Sequence, residues 1–214
     1  YKAGARNENP ERTGFAHLFE HLMFRGTRRI PNFDLPVQMA CGDNNAFTNN
    51  DYTDFYITLP KDNLETALWL ESDRMEGLDI TTTKLEAEKK VVIEEFRQPY
   101  LNQPYGDQPM LLRALAYKVH PYRWAAIGLA TEHIAGATLA DVESFYRAHY
   151  RPSNAILSIS ADTETQRLYN PVREGIIRPR DEYPPRIVRL HYVEGDTVQG
   201  AVSYTHLTLP TNSR

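Results

Sequence analysis

His17-Leu18-Phe19-Glu20-His21 places two imidazoles four residues apart, with a carboxylate directly before the second. At roughly 100° per residue, His21 lies about 40° round a helix from His17, so both rings look the same way. Neutral imidazole nitrogen is a ready zinc ligand. A catalytic zinc site keeps three protein ligands and one open position, so this pair is two-thirds of such a site. Glu20 stands about 60° to one side of His17, where it could take a proton from a water on the metal without being a ligand. Two hydrogen-bonded core histidines beside a surface glutamate would give the same pentapeptide.

Outward from the pentapeptide, Phe15, Ala16, Leu18, Phe19, Leu22, Met23 and Phe24 leave almost no polar face except the His and Glu positions. Ionisable groups in so apolar a segment need a partner. Thr13 as N-cap and Gly26 as C-terminal stop predict a helix over about residues 14–25. A third ligand is sought on the helix expected to begin near Thr82, which carries Glu86, Glu88, Glu94 and Glu95. Relative to Glu88, Val91 falls at about −60°, Val92 at about +40°, Leu85 at about +60° and Glu95 at about −20°, which sets Glu88 and Glu95 within the apolar stripe. Glu86, Glu94, Lys89 and Lys90 point away from it and read as a solvated face. The inward pair is either a buried salt bridge or part of a metal site, and the His pair favours the metal.

The order HxxEH is the inverse of the HExxH of common zinc proteases. The run Thr13-Gly-Phe-Ala-His-Leu-Phe-Glu-His-Leu-Met-Phe-Arg-Gly-Thr27 closely resembles the pitrilysin (insulinase, M16) peptidases. The resemblance continues through Gly42-Asp-Asn-Asn-Ala-Phe-Thr48, Trp69-Leu-Glu-Ser-Asp-Arg-Met75, Val91-Val-Ile-Glu-Glu95, Asn102-Gln-Pro-Tyr-Gly106 and Arg151-Pro-Ser-Asn-Ala-Ile-Leu157, and so covers nearly everything from residue 1 to about 200. It implies a zinc-dependent metalloendopeptidase acting on unfolded peptides or small proteins, with one zinc ion per chain held by His17, His21 and Glu95, and with Glu20 as general base. The gap from His21 to Glu95 is slightly shorter than the family's usual one. Glu88 matches a glutamate often important for activity, placed here behind the ligands. Asn45, Ala46, Phe47 and Thr48 resemble an edge strand on which substrate aligns by backbone pairing, a sequence-tolerant mode. From the segment alone, an ordinary hairpin turned at Asn49-Asn50-Asp51 is an equal reading.

The resemblance also implies a second, related domain or subunit that completes the enclosure around substrate, so this segment alone is expected to be inactive or weakly active. The alternative is a non-catalytic partner or scaffold subunit of the same family, against which the intact His17, Glu20, His21 and Glu95 argue. Tyr1 to Glu8 resemble the continuation of a strand that normally follows one or two others. Residues 1–202 are expected to form one catalytic domain, with 1–137 bearing the zinc site and 138–202 beginning the family's second segment. Residues 203–214 resemble adapter read-through and are set aside with His206.

The chain has 214 residues, 41% of them hydrophobic, enough for one sizeable core. A net charge of −4 and the lack of a basic run give no reason to expect a nucleic-acid partner, and no stretch reaches the length of a membrane span. The single Cys41 rules out an internal disulfide framework. Compartment stays open between a bacterial periplasm and cytoplasm. Helices are predicted near 62–76, 83–98, 107–118 and 138–149, and strands near 44–48, 53–59, 154–160, 186–193 and 197–204. Helix and strand blocks in this order predict an α+β fold, a mostly antiparallel sheet covered on one side by helices.

Overall fold

The computed structural model describes residues 1–161 and the backbone of a strand at 187–192. The expected strand at 197–204 and the segment 203–214 lie outside the described residues. Seven α-helices order the described chain: α1 Phe15–Leu22, α2 Asp34–Met39, α3 Leu64–Glu76, α4 Thr82–Tyr100, α5 Gln108–Ala116, α6 Thr131–Ala135 and α7 Leu139–His149. Four strands accompany them: β1 Asp43–Thr48, β2 Thr53–Thr58, β3 Ile156–Ala161 and β4 Ile187–Tyr192. β1 and β2 form an antiparallel hairpin from Asp43 opposite Thr58 to Thr48 opposite Thr53, while β3 and β4 pair in parallel. The class is α+β, with a small antiparallel sheet set against helices.

The hairpin closes because Asn49 Oδ1 accepts the backbone N–H groups of Asp51 at 2.7 Å and Tyr52 at 2.9 Å, an Asx-type turn. On the far side of β2, the Tyr1 nitrogen donates to Thr53 O at 2.9 Å and Thr53 N returns a bond to Tyr1 O at 3.1 Å. The other edge of β1 has no strand paired to it among the described residues.

α1 lies at the centre of the core, as its apolar sequence requires. Phe15, Leu18, Phe19 and Leu22 are all buried, packed with Leu85 and Val92 of α4 and Val142 of α7. Phe19 stacks on Tyr150 with ring centroids 4.9 Å apart. Each such buried side chain contributes about 1.5–3 kcal/mol, which holds α1 firmly between its neighbours. A second cluster surrounds Arg74, whose guanidinium carbon lies 4.5 Å from the Phe33 ring centre and 4.4 Å from that of Phe55. Its charge is answered by Glu71, with Nε donating to Oε2 at 2.7 Å.

The start of α1 differs from the sequence expectation. Thr13 does not cap it; the N-cap is Gly14 at φ 90°, a left-handed conformation in which an added Cβ would meet Ile134 Cδ1 at 2.8 Å. The orphan N–H groups are taken instead by the buried Glu8 carboxylate, which accepts from Gly14 N and Ala16 N, each at 2.9 Å. Thr13 Oγ1 is engaged elsewhere, accepting Leu129 N at 2.7 Å. The helix also ends sooner than expected, at Leu22, and Gly26 makes its left-handed turn at φ 82° a few residues beyond.

Candidate metal centre

α1 and α4 run side by side, and their facing polar residues meet at one place. A ring nitrogen of His17, a ring nitrogen of His21 and a carboxylate oxygen of Glu95 lie within 4.8 Å of one another. Glu95 Oε2 is 3.2 Å from His21 Nε2 and 3.6 Å from His17 Nε2. The imidazole centroids are 4.8 Å apart and nearly perpendicular, at 81°.

The donor set fits a zinc ion. His21 Nδ1 faces Glu88 Oε2 at 3.2 Å, a contact that places a proton on Nδ1 and leaves the Nε2 lone pair directed at Glu95. His17 is held neutral, its pKa lowered to about 4 by burial first and by the neighbouring charge of His21 second. Both Nε2 atoms face the same Glu95 carboxylate oxygen, and with both rings neutral and protonated on Nδ1 two nitrogen lone pairs and a carboxylate converge, an arrangement that a cation relieves. Burial also lowers the pKa of His21, but the Glu88 hydrogen bond and the charges of Glu95, Glu88 and Glu20 outweigh it and the net shift is upward. A proton on His21 and a bound cation therefore answer the same negative field.

Behind the candidate ligands, Glu88 is 1% exposed, the buried carboxylate that the helix periodicity points to. Burial alone would raise its pKa, yet the His21 bond and the Arg25 guanidinium bring it below the ordinary value. Arg25 grips Glu88 Oε1 through both Nε and Nη2. It continues the i+4 spacing of His17 and His21, a signal present in the sequence that the ligand chemistry of the histidines does not by itself bring out.

Glu20 sits half-buried beside the pair, and Thr48 Oγ1 donates to its Oε2 at 2.5 Å. Burial raises the Glu20 pKa, with Glu95 adding to the rise and the Thr48 bond and His21 opposing it. Of the four strand residues named from sequence, Thr48 reaches the site directly and the half-buried Ala46 shares its face. Asn45 and Phe47 point the other way. Asn45 Oδ1 accepts its neighbour's Ala46 N–H at 2.8 Å, and Phe47 packs edge-on against Tyr52 at 5.7 Å.

Two sequence expectations on α4 require correction. Glu95 is not inside the apolar stripe: its side chain is 44% exposed, at the open side of the His pair, because Val92 and Phe96 take the packed positions on either side. Lys89 does not point to solvent. It is buried, with Nζ donating to Glu86 Oε1 at 2.7 Å and to Ala137 O at 3.1 Å, which satisfies its charge under the α6–α7 connection. Glu94 stays on the exposed face as expected, 3.7 Å from Arg97.

Residues 1–123, more than half of the chain, match the family described as insulinase, peptidase family M16. The chain belongs to peptidase family M16. It is 34% identical over 171 residues to the zinc protease PqqE of Helicobacter pylori, covering 79% of this chain and 38% of that protein. It is 28% identical over 159 residues to the beta subunit of the mitochondrial-processing peptidase of Caenorhabditis elegans, covering 73% of this chain and 34% of the relative. Among solved structures, a protease from Helicobacter pylori superposes with a TM-score of 0.79 at 32% identity over 86% of this chain and 46% of that one. The M16 chain described here thus spans less than half the length of these relatives. A relative from Mycobacterium leprae, 29% identical over 191 residues and covering 86% of this chain and 42% of that protein, is likewise named a zinc protease. No helix among the described residues is long and apolar enough to cross a membrane.

Proposed function

We propose that this M16 segment is the zinc-bearing half of a metalloendopeptidase of the inverted HxxEH type, acting on unfolded peptides or small proteins. The observation that carries it is the convergence of His17 Nε2, His21 Nε2 and Glu95 Oε2, with Glu20 beside them. In this reading one zinc per chain is held by those three residues. When bound, zinc polarises the substrate carbonyl and makes water a nucleophile near neutral pH. Glu20 takes the proton that the attacking water loses and passes it to the leaving amine; its raised pKa suits a group that must both accept and give a proton near neutrality. Glu88 orients the His21 ring, and Arg25 holds Glu88 in place. Peptide substrate pairs its main chain with the edge of β1 that no strand among the described residues occupies, along Asn45, Ala46, Phe47 and Thr48. A second M16-type domain or subunit closes over the substrate, so the segment alone has little activity.

Metal analysis and peptide hydrolysis by the full-length protein test this reading. About one zinc per chain is expected. Glu20→Gln keeps the zinc and abolishes hydrolysis, whereas His21→Ala loses both. A Glu20→Gln protein as fast as its parent removes Glu20 as the base, and a parent with no zinc removes the peptidase reading in favour of a non-catalytic partner subunit.

A further inference from the structure

Strand β1 alternates strictly: Asp43, Asn45 and Phe47 are exposed, while Asn44, Ala46 and Thr48 are half-buried on the face towards α1. Thr48 is the last residue of the strand and lies opposite Thr53. Thr53 is fully buried, and its hydroxyl donates to Ala3 O at 2.8 Å. A threonine hydroxyl has a single proton, so Thr53 has none left for Thr48, although their oxygens are 3.2 Å apart. The Thr48 proton therefore chooses between a neutral hydroxyl at 3.2 Å and the Glu20 carboxylate at 2.5 Å. The shorter, charge-assisted bond wins.

From this we infer that Thr48 is a positioning residue for Glu20: its hydroxyl fixes Oε2 and leaves Oε1 as the oxygen that accepts the proton. The inference rests on the peptidase reading above and adds to it. Main-chain recognition along β1 does not need a hydroxyl at position 48, and a valine would fill the same space on a β-strand. The hydroxyl has a different task. The strand that pairs with peptide in that reading also sets the orientation of the base.

The test uses the full-length, zinc-loaded protein and a fluorogenic unfolded peptide. Thr48→Val and Thr48→Ala both remove the hydroxyl; Thr48→Ser keeps it. The expected result is parental zinc content and a KM within about twofold in all three, with kcat reduced about tenfold or more in the Val and Ala variants and within about threefold of the parent in the Ser variant. A Thr48→Val or Thr48→Ala protein with parental kcat overturns the inference, as does a Thr48→Ser protein as slow as they are. So does a loss confined to KM, which makes Thr48 a part of the strand only, or a loss of zinc that tracks the loss of rate. A zinc-loaded parent that cleaves no peptide overturns the peptidase reading and this inference together. A parent that cleaves beside an equally fast Thr48→Val protein overturns this inference alone.

Discussion

His17 and His21 share a helix face but not an environment, and their titrations oppose each other. In the metal-free protein His17 titrates at about 4, below its ordinary 6.5, so the unfolded chain binds more protons than the folded one between these values. Its contribution to stability is complete above pH 6.5 and is lost as pH falls towards 4, up to about 3 kcal/mol at about 1.4 kcal/mol per pKa unit. His21 has the opposite sign. Its raised folded pKa stabilises the protein below pH 6.5, and that contribution is lost as pH rises through the folded value. Urea unfolding of the zinc-free protein across pH should therefore show His17→Gln losing the acid-side slope below pH 6.5 relative to the parent, with the neutral-to-alkaline side unchanged. An acid-side slope identical in parent and variant would contradict the assigned burial of His17. The identity of both residues as a pair was legible in the sequence, because their i+4 relation is a property of helix geometry alone. Their difference was not, since it comes from the burial of the His17 ring in the folded core and from Glu88 and Glu95, on another helix, acting on His21.

The element that presents the pair is α1, eight residues long and too short to be stable by propensity. Packing and one remote side chain hold it. Glu8 takes Gly14 N and Ala16 N at the helix start and also accepts Trp124 Nε1 at 3.1 Å, joining three segments at one buried carboxylate. Trp124 Nε1 keeps a second acceptor, Ala5 O at 2.9 Å, so Glu8→Ala strands the two backbone donors. Each buried donor without a partner costs about 1–3 kcal/mol, and the variant should lose about 3 kcal/mol of unfolding free energy in urea. It should also bind zinc more weakly, as His17 follows the loosened first turn. Unfolding indistinguishable from the parent would show that α1 does not depend on Glu8. The sequence suggested Thr13 as the cap by local rules. The carboxylate that satisfies the first turn, Glu8, lies before the helix in a turn whose approach is set by tertiary contacts, and no local rule could have found it.

Across the molecule, the candidate ligands come from two helices that are far apart in sequence and joined by packing and by the contacts of Glu88 with His21 and Arg25. A cation bound between them stabilises the folded state alone, by about 4 kcal/mol at a thousandfold excess over its dissociation constant. Thermal melts should therefore fall on treatment with a chelator and recover on return of zinc, while Glu95→Ala should melt at the same temperature with or without the chelator. A chelator-insensitive parent would remove the metal link between α1 and α4. The α+β class, the β1–β2 hairpin, and the extents of α3, α4 and α7 to within a few residues followed from sequence periodicity and turn residues. The short α2 and α6 did not, because six and five residues carry too little periodic signal. By itself the sequence determined the spacing of His17, Glu20 and His21, the inward aim of Glu88 and the resemblance that named the site, all consequences of positions along one chain. The tertiary structure decided that Glu95 meets the pair from the open side, that Arg25 holds Glu88, that Lys89 is buried, and that Thr48 bonds to Glu20. These depend on how helices and hairpin lie against each other, a relation fixed by packing of the whole core rather than by any local stretch.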